Sequence, residues 1–119
     1  MRSTRDVVQD KVVRQEKKDA GAGHYSDPPL LVLASLAGGP KHGHAMIEDI
    51  AAMCGTELGP GTLYGAIARL EKQGWIVPMK AEERRQPYRI TPAGLSVLRA
   101  QLATLQRFTK AGLKRLEAL

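Results

Sequence analysis

Between Gly59 and Trp75 the chain reads GPGTLYGAIARLEKQGW, and its polar groups are of hydrogen-bonding and charged types. Thr62 and Tyr64 bring hydroxyls, Arg69 and Lys72 bring positive charge farther along, and Arg84 and Arg85 add a second basic pair within KAEERRQ. Hydroxyls beside guanidinium and ammonium groups suit recognition of phosphates and base edges. They do not suit the making of bonds. No nucleophile motif or phosphate-binding glycine loop is present, and Glu48 and Asp49, being adjacent, point apart and form no acid–base pair. His42 and His44 stand two apart, a poor spacing for metal ligation on a helix, and Cys54 and His24 are not evident partners for them. The residues therefore assign no catalytic group, no metal and no cofactor, and the expectation is a protein that is not an enzyme.

Three of the first seven residues of that segment are glycines and one is a proline, which are the poorest helix formers. Yet Leu63, Ile67 and Leu70 recur at intervals of four and three, the mark of an amphipathic helix. At about 100° per residue these three face a core, while Gly61, Gly65, Ala68 and Lys72 gather on the opposite side, flanked by Thr62, Tyr64 and Arg69. Small residues there let a backbone approach a ligand closely. The free N–H groups of a first helical turn, at the positive end of the helix dipole, suit a phosphate oxygen. The bland alternative is that Gly59, Pro60 and Gly61 only turn the chain and Gly65 costs about 1 kcal/mol relative to Ala without benefit.

The surrounding elements must position these groups. Ser26 and Asp27 can cap a helix, Pro28 suits its first turn, and Leu30 to Ala37 supply a buried face ended by Gly38, Gly39 and Pro40. A second helix runs from His42 to Met53 with Met46, Ile47, Ile50 and Met53 on one face, and a turn over Cys54 to Glu57 leads to the third, closed by Gly74. Trp75 to Met79 and Pro87 to Thr91 lean to strand, and the charged loop Lys80 to Gln86 between them makes a wing. Thr91 and Pro92 open a last helix in which Leu95, Leu98, Leu102 and Leu105 fall at intervals of three and four. Leu116 and Leu119 resume that register after Thr109 and Gly112, and Phe108 is the helix's one aromatic residue. The order predicts a mainly α fold with an α+β wing. It is a winged helix-turn-helix domain over residues 26–91, followed by a dimerisation helix over 92–119. Residues 1–25 read equally as a flexible arm or a weak amphipathic helix. In this geometry the second helix of the pair enters the major groove with its first residues nearest the bases.

Composition agrees. The 119 residues, 43% apolar, allow one domain with a modest core, and 18 Lys and Arg against 12 Asp and Glu leave a formal charge of +6 that favours an anionic partner. The single cysteine, Cys54, excludes an internal disulfide and suits a reducing cytoplasm. MRSTRDVVQD has no apolar secretion core, and the longest apolar run, Leu30 to Ala37, falls far short of the roughly 20 residues of a membrane span. A soluble, cytoplasmic protein without a membrane partner is expected.

LGPGTLYGAIARLEKQGWI followed by RRQPYRITPAG closely resembles the signature of PadR-type transcriptional regulators, and HGHAMIEDI is similar to that family's His-Gly-Tyr start of helix 2. The resemblance covers roughly Pro28 to Leu119. It departs at Gly65, where the family usually has proline, and at His44, where it usually has tyrosine; the first change makes the recognition helix less rigid. The resemblance implies a homodimer joined largely through the C-terminal helix, binding a palindromic operator in double-stranded DNA and usually repressing transcription. It implies DNA contacts from Gly61, Thr62, Tyr64 and Gly65 and from Arg84, Arg85 and Tyr88 on the wing. The short length and single C-terminal helix resemble the smaller subfamily. Such dimers often take a small hydrophobic or aromatic effector between subunits; for its lining the last helix offers only Phe108, and Trp75, at the start of the wing strand, is expected to pack in the core. A core already filled by three helices leaves a 25-residue last helix overhanging, which favours Leu95, Leu98, Leu102, Leu105, Phe108 and Leu116 as the dimer seam. Two other readings stand beside this one: a winged-helix module that binds protein, and an architectural binder indifferent to DNA sequence.

Overall fold

PPLLVLASLA is apolar on nearly every side, and a helix of that kind has to be enclosed. In the computed structural model, which describes residues 26–119, it forms α1 (Pro28–Ala37), opened by Asp27, whose carboxylate accepts the Leu30 N–H at 3.2 Å. The arm expected over residues 1–25 lies outside the described residues. Leu30, Leu31, Val32, Leu33 and Leu36 are all buried, because α2 (Gly43–Cys54), α3 (Pro60–Gln73), α4 (Pro92–Glu117) and the sheet pack around α1. Where the sequence reading gave α1 one buried face, it is the central element.

α2 and α3 both end on a left-handed glycine, Gly55 at φ 77° and Gly74 at φ 79°, a conformation that L side chains avoid. From α2, Met46 and Ile50 enter the core and Ile47 packs at its edge, but Met53, expected on the same face, is 46% exposed. Cys54, one turn after Ile50, turns toward the core instead. The buried Ser35 hydroxyl donates to Asp49 at 2.7 Å, and Lys41 Nζ donates to the Ser35 and Gly39 carbonyls at 2.6 and 3.1 Å, closing the end of α1 and pinning it to α2.

The wing is three-stranded rather than two-stranded. β1 (Lys41–His42) and β2 (Ile76–Pro78) flank β3 (Pro87–Ile90), both antiparallel to it. Lys41 lies opposite Tyr88, and Ile76, Val77 and Pro78 lie opposite Ile90, Arg89 and Tyr88. The charged loop closes as a tight hairpin, with Glu82 and Arg85 exchanging backbone hydrogen bonds of 2.9 and 2.8 Å around Glu83, whose φ is 53°. Gln86 Nε2 donates to the Met79 carbonyl at 2.6 Å and so ties the two arms together.

Thr91 caps α4 by accepting the Gly94 N–H at 3.1 Å, while its own hydroxyl donates to the Gly74 carbonyl at 2.8 Å. The 26 residues of α4 run unbroken through Thr109 and Gly112 for about 39 Å. One expectation is corrected here. Leu98 is 5% exposed within a single chain and belongs to the domain's own core, so it does not lie free on an outer seam; Leu105 is half-buried against that core. Leu95 is half-buried, and Leu102, Phe108 and Leu116 are exposed.

Candidate nucleic-acid interface

α3 buries Leu63, Ala66, Ile67 and Leu70 and turns its other face outward. Of the four helices described, α3 alone starts without a side-chain cap. Its N-cap is Gly59, whereas Asp27, His42 and Thr91 cap the others. The N–H groups of its first turn are therefore left to an outside acceptor. Among the described residues nothing lies within 4 Å of where a Cβ on Gly59, Gly61 or Gly65 would stand, and none of the three has a positive φ. Among the described residues neither packing nor backbone conformation calls for glycine at these positions. Thr62, Arg69 and Lys72 are exposed on the same helix.

Tyr64 is 51% exposed and lies across the start of α2, against Gly43. A cleft of about 280 Å³ there is lined by His42, Gly43, His44, Tyr64, Arg84, Arg85 and Gln86. The fold thus brings Tyr64 beside Arg84 and Arg85, 20 and 21 positions on in the chain, and leaves Arg69 and Lys72 farther along α3. Tyr88 is placed differently from a free wing contact: it is half-buried against the core. Burial, with added repulsion from Glu71 and Tyr64, raises its phenol above the ordinary value, so the hydroxyl stays protonated.

Gly43 and Gln86 have no role assigned from the sequence alone. His42 Nδ1 accepts the Ala45 N–H at 3.4 Å, capping α2, and Arg85 Nη1 lies 3.3 Å from Nε2. A neutral imidazole accepts at only one nitrogen. While His42 caps the helix its Nε2 carries the proton, and Arg85 keeps its donors for another acceptor. The cap has a sequence signal, a histidine just before a helical run. The neighbourhood of Arg85 has none, because 43 positions separate the pair. Among the described residues no group of three His, Cys, Asp or Glu could hold a metal ion, and no helix is long and apolar enough to cross a membrane.

Three helices around one core, the third bare at its first turn and beside it a hairpin with arginines at its tip, define a winged helix-turn-helix domain. Residues 32–100 match the transcriptional regulator PadR-like family, so the chain belongs to the PadR-like family of DNA-binding transcriptional regulators. Its fold is similar to that of a PadR family regulator from Eggerthella lenta, with 27% identity, full coverage of both chains and a TM-score of 0.68. It is also similar to a transcriptional regulator from Clostridium thermocellum at 31% identity and a TM-score of 0.65, covering 72% of this chain and 89% of that one. In sequence it is 40% identical over 84 residues to an uncharacterized 37.1 kDa protein in a Streptomyces fradiae transposon, and 30% identical over 87 residues to the transcriptional activator GvpE2 of Halobacterium salinarum. The alignments cover 71% and 73% of this chain but only 24% and 44% of those two relatives.

Proposed function

We propose that the protein acts in the cytoplasm as a homodimeric repressor, reading a palindromic operator with the bare face of α3 while Arg84 and Arg85 hold the adjacent backbone. The observation that carries this is the glycine face: among the described residues nothing stands within 4 Å of where a Cβ on Gly61 or Gly65 would lie, and the N–H groups of a first turn without a side-chain cap stand beside them. Thr62 and Tyr64 supply the hydroxyls for base edges or phosphates. Support for the dimer comes from the outer part of α4, where Leu102, Phe108, Leu113 and Leu116 are exposed large apolar side chains beyond the domain core. A hollow of about 290 Å³ lined by Leu30, Ala100, Gln101, Thr104 and Leu105 is the place for a small hydrophobic effector that releases the repressor.

The test is selection from a pool of random duplexes at near-physiological salt. Recovery of an inverted repeat with half-sites about one helical turn apart supports the reading. Gly65→Leu gives opposite signs in two assays: folding is unharmed or improved because the site is open, and operator binding is lost. Arg84→Ala and Arg85→Ala each lower the salt slope of binding by about one. Equal retention of every sequence means an architectural binder, and retention of none, with a salt-insensitive protein partner, means an interaction module. GvpE2 is named an activator, and a promoter fusion carrying the recovered site decides the sign of regulation here.

A further inference from the structure

Gly43 opens α2, and its backbone makes no demand for glycine. Its φ is not positive, and a first-turn helical position accepts any ordinary residue, Ala more readily than Gly. Nevertheless Gly43 is buried, and a Cβ there would collide with the phenol of Tyr64: with the hydroxyl first, then with Cζ at 2.7 Å and Cε1 at 3.1 Å. The obstruction is the far end of a side chain that can swing away, so a methyl group at position 43 moves Tyr64 and leaves the helices where they are.

Among the described residues no hydrogen bond or ion pair fixes the Tyr64 hydroxyl. Tyr64 is half exposed and lines the cleft together with Arg84 and Arg85. A phenol in that position, without a seat, would sample several rotamers and bring its hydroxyl to a ligand only part of the time. The missing Cβ of Gly43 gives the ring one place to rest, across the junction of the two helices.

We infer that Gly43 is a positioning residue for DNA recognition, its absent side chain seating the Tyr64 phenol so that α2 and α3 present one preformed surface. This rests on the proposal that Tyr64 faces DNA. To regain ordinary contact distance past a methyl group the ring must move outward by about 1 Å, enough to spoil hydrogen-bond geometry to a fixed partner.

The test is a double-mutant cycle of Gly43→Ala and Tyr64→Ala, read on the duplex that the parent protein selects from a random pool. Gly43→Ala is expected to keep the parent's unfolding temperature within a few degrees, to shift the ring resonances of isotopically labelled Tyr64 in the free protein, and to weaken binding about tenfold. In the Tyr64→Ala background it has no further effect. If Tyr64→Ala binds as the parent does, the placing of Tyr64 on DNA is wrong and the inference goes with it. Should Tyr64→Ala weaken binding while Gly43→Ala does not, or should Gly43→Ala cost the same in both backgrounds, the seating role alone is overturned. A Gly43→Ala chain that does not fold, and is not rescued by Tyr64→Ala, overturns it as well.

Discussion

Gly94 is the position where adding one methyl group has the clearest consequence for the fold. It lies in the first turn of α4, where Ala would ordinarily gain up to about 1 kcal/mol over Gly. A Cβ there, however, would run into the Trp75 carbonyl oxygen and stand 2.8 Å from Ile90 Cγ1 and 3.0 Å from the Trp75 carbonyl carbon. That carbonyl cannot retreat freely, because it accepts the Thr91 N–H at 3.0 Å and so joins the end of β3 to the start of β2. Overpacking of this kind costs about 1–3 kcal/mol, and a weakened hydrogen bond adds about 1 kcal/mol. After the helix gain is set against these, Gly94→Ala should destabilise by about 2 kcal/mol, a fall of roughly 10 °C in Tm for a domain near this size. Gly65→Ala is the control, since nothing stands within 4 Å of its Cβ, and it should gain about 1 kcal/mol. Urea and thermal unfolding followed by circular dichroism measure both. A Gly94→Ala protein as stable as Gly65→Ala would refute the packing of α4 on the wing as described.

Leu98→Ala, at a site 5% exposed, should cost about 2–5 kcal/mol, by the same amount at low and high protein concentration. Phe108→Ala, at a site 73% exposed, should instead weaken association, measured by sedimentation equilibrium, with little change in the fold. His42→Ala should destabilise by about 1 kcal/mol through loss of the α2 cap, and His42→Asn should recover most of it; the midpoint of urea unfolding reads both. The raised phenol of Tyr88 gives a sign to the alkaline limb. Because the folded chain holds that proton more tightly than the unfolded one, whose value is near 10.0, its share of stability is whole below about pH 10 and is lost as pH rises through the folded-state value. Tyr88→Phe should therefore unfold less steeply with pH above about 10 than the parent protein.

The features legible in the residues alone are local. Asp27 and Thr91 as caps, Gly74 as a left-handed stop, and the spacing of Leu63, Ile67 and Leu70 each act within a turn or two of chain, so their outcome follows from neighbours in sequence. The bare face of α3 was legible for the same reason, since periodicity alone assigns glycines to the side away from the core. Whatever depends on which distant element arrives was set by packing. A two-residue strand has no period to read, and β1 exists because β3 lies beside it. A leucine stripe on α4 does not say what covers it; α1 covers its start, which takes Leu98 inside and leaves Phe108 out. Met53 and Cys54 exchanged places because helical spacing limits which residues turn inward, while the neighbouring helices select between them. The approach of Tyr64 to Gly43 and of Arg85 to His42 joins residues 21 and 43 positions apart. Only the packed core brings such groups together, and it is they that complete the interface.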